Sequence, residues 1–195
     1  NPDMDPDLKR SFLEKSFSQT ERLCSLLSDI STLTRMDEAS MMISKEPVRL
    51  DLLIFEIINE VKLLPEDDRM RISTNVSEPL EIMGNPSLLN SIFRNLTDNA
   101  LAYSGGRDVF INLEQETDDF YCFSFADNGI GVDESHLDHI FERFYRIDKG
   151  RSRKLGGTGL GLSIVKNAVS FHGGIIYARN REMGGLEFIF SLSKK

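Results

Sequence analysis

The sequence predicts an α/β (α+β) two-layer sandwich, a mixed and mostly antiparallel sheet with helices on one face, preceded by one long α-helix. Three observations carry this expectation. Asp7 to Arg35 contains no Pro or Gly, and its apolar residues recur at helical spacing. After Glu46, segments that alternate with period two are interleaved with segments of helical period. The runs VFINLEQ and FYCFSFAD are joined by the short polar turn ETDD, a link of the length that joins antiparallel neighbours.

Taken in order, Asn1 to Pro6 reads as a loop. Leu8, Phe12, Leu23, Leu26, Leu27, Ile30 and Leu33 then form the stripe of a helix ending near MDEAS. Such stripes pair with another helix, and no second one of that style follows, so its partner is missing or belongs to another chain. PVRL reads as a short strand, and Asp51 to Leu64 as a helix with Asp51 as N-cap. MRISTNV and LEIMG alternate like a hairpin. Asn85-Pro86 opens a helix, with proline at its first position, and that helix runs through FRNLTDNALAYS. VFINLEQ and FYCFSFAD follow as strands, DNGIGV breaks the chain, and a short helix spans Ser135 to Phe141. A basic, glycine-containing loop leads to a helix from Thr158 to His172, and IIYARN and LEFIFSL close the sheet. The expected division is residues 1–45 for the loop and long helix, and 46–195 for the sandwich.

Length and charge narrow the functional classes. The 195 residues carry a formal net charge of −8, which argues against general nucleic-acid affinity because that term comes from Lys and Arg neutralising phosphates. Cys24 and Cys122 show no C-x-x-C spacing and read as reduced core thiols of a cytoplasmic protein. No apolar run reaches membrane-spanning length and no signal-peptide pattern is present. The chain starts at Asn1 without a methionine. It is therefore expected to be a soluble, cytoplasmic piece of a longer protein, without direct membrane contact.

Chemistry concentrates in four places. Leu88, Ile92, Asn95, Asn99 and Tyr103 share one helical face, so two amides lie one turn apart on a stripe that begins apolar. A buried amide without a partner costs about 1–3 kcal/mol, so the pair needs an internal hydrogen-bond network or a polar ligand. In DNGIGV, Gly129 and Gly131 allow close backbone approach and Asp127 stands at the strand end; the motif is either an ordinary turn or a carboxylate that reads an exocyclic amine. GGTGLGLSIV places Gly157, Gly159 and Gly161 at the mouth of a helix, as a hinge or a phosphate cradle. From Glu142 to Gly157, six basic residues (Arg143, Arg146, Lys149, Arg151, Arg153, Lys154) face two acidic ones, a solvated face or a cationic lid over polyphosphate. His136 and His139 read as a solvent-facing pair, and His172 as a helix-ending residue well placed to carry partial positive charge.

The order of these motifs carries a resemblance. NLTDNA, DNGIGV, FERFYR, GGTGLGLSIV and then HGG resemble the N, G1, F and G2 boxes of the sensor histidine kinase ATP-binding domain, a Bergerat-type fold, over nearly all of Pro47 to Leu192. RLCSLLSDISTLTRMDEA is similar to the second helix of that family's dimerisation and phosphotransfer hairpin. The resemblance implies ATP and Mg²⁺ as cofactors. Asn99 would be the Mg²⁺ ligand, Asn95 a catalytic helper near the phosphates, and Asp127 the adenine reader, with Gly129 and Gly131 beside it. Arg146 would be a catalytic phosphate contact, Tyr103 would line the site, and Gly157, Gly159, Leu160 and Gly161 would supply lid backbone. It also implies three partners: a phosphoacceptor helix of the same or a second protomer, a response regulator receiver domain, and a homodimeric full-length protein, membrane-anchored as a sensor. The sequence departs from the pattern at Ala102, where the family commonly has a lysine, and at Leu186, where a Gly-Thr pair commonly opens the strand. The H-E-x-[RK]-T-P acceptor motif is absent, so the chain by itself is expected not to autophosphorylate. The rival readings are an ATP hydrolase of the same fold, a degenerate interaction module, and an anti-sigma-type serine kinase.

Overall fold

The computed structural model describes residues 5–38, 43–77, 79–147 and 157–195. Helix α1, Pro6–Glu38, is followed by strand β1, Glu46–Arg49, and helix α2, Leu50–Leu63. Strands β2, Arg71–Thr74, and β3, Glu81–Gly84, precede helix α3, Pro86–Asn99, which continues as a π-helical turn over Ala100–Ser104. Strands β4, Asp108–Glu116, and β5, Phe120–Asp127, form a hairpin, and one turn of helix, α4, spans Glu134–Leu137. Helix α5, Gly161–Phe171, and strands β6, Ile176–Asn180, and β7, Leu186–Ser193, complete the chain.

The main sheet has the order β2-β4-β5-β7-β6, antiparallel throughout except for the β2–β4 pair. Its inner face is built by alternation. In β7, Leu186, Phe188, Phe190 and Leu192 are buried, while the residues between them are half-exposed. Helices α3 and α5 cover that face, and Phe93 of α3 packs edge-on at 5.7 Å against both Phe123 and Phe190. Truncating such a fully buried ring costs about 3–5 kcal/mol, so this trio pins α3 to the sheet. Helix α2 buries Leu50, Leu53, Ile54, Ile57, Ile58 and Val61, a repeat of three and four that leaves its other side to solvent.

Two local expectations are corrected. MRISTNV and LEIMG do not form a hairpin: β2 joins the main sheet beside β4, whereas β3 pairs with β1 in a separate two-stranded sheet. Short alternating runs specify a face and not a partner, and the partner is set by which edge is free. Asp51 is not the N-cap of α2; Arg49 holds that position without a side-chain cap. The Asp51 carboxylate instead takes the Leu80 N–H at 3.1 Å and a bidentate Arg49 guanidinium, which holds its pKa below the ordinary carboxylate value, the Arg49 hydrogen bond first. It ties the helix start to the segment before β3.

Along α1, Leu33 and Met36 are buried and Leu26 packs against the core, while Leu8, Phe12, Phe17, Leu23 and Leu27 stand exposed. One stripe of α1 therefore docks on the sandwich, at α5, and a second has no cover. Cys24 is exposed on α1 and Cys122 is half-buried on β5, so the expectation that both are core thiols holds for neither fully; both are free. Among the described residues no helix is long and apolar enough to cross a membrane.

Candidate nucleotide site

The site is assembled where α3 ends. Asn85 caps the helix through its Oδ1, which accepts the Leu88 N–H at 3.1 Å, with Pro86 at the first position. At the far end Asn95 and Asn99 are half-buried, not core residues. Asn95 Nδ2 donates to Ser91 O at 2.8 Å. Its Oδ1 lies 2.7 Å from where a Cβ on Gly161 would sit, so the first residue of α5 must be glycine for the two helices to approach this closely. The Asn99 amide makes no hydrogen bond among the described residues. The expected single stripe through Tyr103 is broken, because the chain widens into the π-helical turn after Asn99; Tyr103 is half-buried on that turn.

Asp127 ends β5 and is 4% exposed. Its Oδ1 accepts two backbone N–H groups, Gly129 at 2.8 Å and Leu186 at 3.3 Å. Its Oδ2 accepts from no described residue. Burial raises the carboxyl pKa above its ordinary value, opposed by those two N–H groups and by Arg181. Thus the Leu186 position, where the family commonly has Gly-Thr, still contributes through its backbone.

The DNGIGV turn is clamped on both sides. A side chain at Gly129 would collide with the Ser104 carbonyl of the π-helical turn, and Ile130 N–H donates to that same oxygen at 2.9 Å. On the other side Asn180 grips Val132 with both ends of its amide, Oδ1 accepting at 3.0 Å and Nδ2 donating at 2.7 Å. Gly131, at φ +68°, has no room for a Cβ beside Asn180 Oδ1. Asn180 and Ser104 escaped sequence reading because each acts from an unrelated segment. The only local signal for Asn180 is an amide at the end of IIYARN, where the strand should stop.

The glycine-rich mouth of α5 meets α3 where Gly161 approaches Asn95. Phe144, in left-handed backbone at φ 65°, donates its N–H to Gly159 O at 2.8 Å. Gly159 itself has φ +76° and would meet the Phe144 backbone if it carried a Cβ. Leu160 is fully buried, and its N–H is taken by Thr158 Oγ1 at 3.2 Å, so its backbone braces the loop. No side chain caps α5, leaving the donors of its first turn and the positive end of its dipole uncompensated. Gly157 is half-buried at the start of this described stretch. Thr158 also donates to Asp29 Oδ2 of α1 at 2.9 Å, and burial raises the Asp29 pKa against that hydrogen bond. Arg146 follows the Phe144 turn; its Nε and Nη2 are shielded from solvent without a hydrogen-bond partner among the described residues. Of the expected cationic lid, Lys149, Arg151, Arg153 and Lys154 lie outside the described residues.

The histidines differ from expectation in part. His172 is fully buried; its Nε2 accepts the Asn85 N–H at 3.1 Å and its Nδ1 donates to Ala168 O at 2.7 Å. Burial lowers its pKa, so the ring is a neutral strut between the start of α3 and the end of α5, not the partial cation expected. His139 is exposed and pairs with Glu142, whereas His136 is half-buried against Tyr145. No cluster of three or more His, Cys, Asp or Glu that could hold a metal occurs among the described residues. A groove lined by Val48, Arg49, Leu52, Phe55, Glu56, Asn59 and Asn90 includes none of Asn99, Asp127, Arg146 or the mouth of α5.

Among the described residues, Asp127 Oδ2, the Asn99 amide and two nitrogens of Arg146 thus have no hydrogen-bond partner, and no side chain caps α5. Residues 84–195 match the family described as histidine kinase-, DNA gyrase B- and HSP90-like ATPase. Over 189 residues the chain is 33% identical to the sensor-like histidine kinase SenX3 of Mycolicibacterium smegmatis, covering 96% of this chain and 49% of that protein. It is 36% identical over 192 residues to the sensor protein kinase WalK of Staphylococcus haemolyticus, covering 96% of this chain and 31% of WalK. The crystal structure of full-length ShkA in complex with AMPPNP superposes with a TM-score of 0.77 at 26% identity, over 94% of this chain and 38% of that one. The chain belongs to the histidine kinase-, DNA gyrase B- and HSP90-like ATPase family, and its ATP-binding domain is of the sensor histidine kinase type. It spans about half the length of SenX3 and under a third of WalK.

Proposed function

We propose that residues 46–195 bind ATP with Mg²⁺ and serve the transfer of its γ-phosphoryl group to a histidine on a helix upstream of residue 1, with residues 1–45 contributing the long helix that docks beside the site. The observation that carries this reading is a coincidence of two independent sets. Among the described residues, the polar groups without a hydrogen-bond partner include Asn99, Asp127 Oδ2 and two nitrogens of Arg146, beside Arg22 Nε, Asn90 Oδ1 and Thr97 Oγ1. Of these, the resemblance assigns Asn99, Asp127 and Arg146 to metal, base and phosphate.

Asp127 would orient adenine: with Oδ1 held by two backbone donors, Oδ2 is the free acceptor for an exocyclic amine. Gly129 and Gly131 keep the turn close enough for a flat base to lie against backbone, and Tyr103 flanks it. Asn99 would hold Mg²⁺ through its carbonyl oxygen, and the ion, when bound, neutralises phosphate charge. Arg146 and the α5 mouth with Gly157, Gly159, Leu160 and Gly161 would hold the phosphates. Asn95 sets the spacing between α3 and α5 at that mouth. An amide cannot take a proton at neutral pH, so Asn95 does not activate water, and the chemistry favours transfer to an acceptor over hydrolysis. A receiver domain and a second copy of the protein are the corresponding partners.

The test is thermal unfolding with and without Mg²⁺ and a non-hydrolysable ATP analogue, followed by phosphoryl transfer from labelled ATP to a supplied acceptor helix. A binder at ~100 times Kd gains about 2.7 kcal/mol. Absence of any shift at millimolar analogue, or label accumulating on His136, His139 or His172, contradicts the reading.

A further inference from the structure

Arg146 poses a positioning problem. An arginine side chain is long and loses much rotamer freedom when ordered. Here two of its nitrogens are shielded from water with no hydrogen-bond partner among the described residues, so no acceptor among those residues aims these two atoms. What the described residues do constrain is the backbone that carries the side chain. That backbone is held at two successive residues. Phe144 is fixed by its N–H to Gly159 O at 2.8 Å, which ties it to the glycine loop. Tyr145 packs against the core, and its hydroxyl lies 2.7 Å from His136 Nδ1.

His136 is itself a fixed point. It sits in α4, whose first turn is closed by Asp133: Oδ1 accepts Ser135 N–H at 2.9 Å and Ser135 Oγ–H at 2.5 Å. The His136 and His139 rings flank Tyr145 at 6.1 and 5.6 Å between centroids, so the phenol stands between two imidazoles. His139 is turned outward to Glu142 and leaves the hydroxyl to His136 alone. In this contact the phenol oxygen and Nδ1 are donor and acceptor in the order that the His136 tautomer sets.

We propose that His136 is a positioning residue for phosphate binding: through the Tyr145 hydroxyl it fixes the backbone turn that points Arg146 at the nucleotide phosphates. The inference deepens the proposed ATP site and rests on that reading. It gives a role to a histidine outside the proposed metal and base contacts, and to the capped turn α4 that carries it.

The experiment measures binding by calorimetry on the full chain, with Mg²⁺ and a non-hydrolysable ATP analogue, and separately with AMP. The variants are Tyr145→Phe, His136→Leu, His136→Asn and, as reference, Arg146→Ala. Loss of one neutral hydrogen bond predicts that Tyr145→Phe and His136→Leu each weaken the triphosphate by roughly three- to tenfold and AMP by less than about twofold. Asn carries an amide atom near the place of Nδ1, so His136→Asn recovers most of the loss. A general folding defect would weaken both nucleotides together and would not be rescued by Asn. If Arg146→Ala weakens the triphosphate while Tyr145→Phe and His136→Leu match wild type, the positioning role is overturned and the ATP site stands. Should Arg146→Ala itself leave triphosphate affinity unchanged, the phosphate role of Arg146 fails and the positioning role fails with it.

Discussion

Replacing Asp127 by Asn separates the two jobs of one side chain. In the wild type Oδ1 is occupied by the Gly129 and Leu186 N–H groups and Oδ2 accepts from no described residue. An asparagine must keep its carbonyl toward those two donors, because turning the amide over would set N–H against N–H. Its Nδ2 is then forced outward, where the adenine amine would meet a donor. The variant loses a charge-assisted hydrogen bond worth about 1.5–3 kcal/mol and gains an unpaired donor costing about 1–3 kcal/mol. A combined loss of about 3 kcal/mol is roughly 150-fold in Kd. At an analogue concentration of ~100 times the wild-type Kd, stabilisation drops from about 2.7 to about 0.3 kcal/mol. For a chain of this length the ligand-induced rise in Tm therefore falls from roughly 5–10 °C to about 1 °C. The ligand-free variant should melt no lower than wild type near neutral pH. Burial raises the Asp127 pKa, so its charged form is a burden on the folded state above that pKa, and a neutral amide removes the burden. Differential scanning fluorimetry reads both quantities. An undiminished ligand shift in Asp127→Asn would refute the base-reading role, and a large drop in the ligand-free Tm would refute the division of labour between the two oxygens.

Four further outcomes are expected. Asn99→Ala should leave the ligand-free melting point within about 0.5 kcal/mol of wild type, since the amide has no partner among the described residues, and should abolish the Mg²⁺-dependent part of the nucleotide shift. Gly161→Ala places a methyl 2.7 Å from Asn95 Oδ1 and should cost about 1–3 kcal/mol in urea unfolding, together with weaker triphosphate binding. Asn180→Ala frees both backbone groups of Val132, at a cost of about 1–3 kcal/mol, and should raise amide exchange in the DNGIGV turn. His172, held below its ordinary pKa of 6.5 by burial, is protonated first in the unfolded chain; the stability it lends is complete above 6.5 and is lost as pH falls through the folded-state value, so the urea midpoint should decline from pH 7 to 5, and less steeply in His172→Phe.

The parts of this protein legible in the chain are those where a local rule decides. Asn85-Pro86 starts a helix because cap and fixed φ act within four residues, and β7 alternates because successive side chains point to opposite faces. The four motifs were readable for the same reason: each glycine or amide stands at a spacing that its own turn or helix dictates. Partnership was not legible. β2 and β3 look alike as strings and end in different sheets; Asp51 looks like a cap and serves Leu80, 29 positions away; His172 looks like a helix-end cation and is a buried strut to Asn85, 87 positions away. The cradle also needed the third dimension. Only folding presses Gly161 onto Asn95, seats Gly129 on Ser104 and sets Tyr145 against His136, with Asn99, Asp127 Oδ2 and two nitrogens of Arg146 among the groups that no described residue pairs. The sequence by itself determined which residue types stand at each turn and helix end, because those preferences are local free energies; tertiary structure decided which of them are satisfied, because a hydrogen bond between distant segments exists only once the core has placed both.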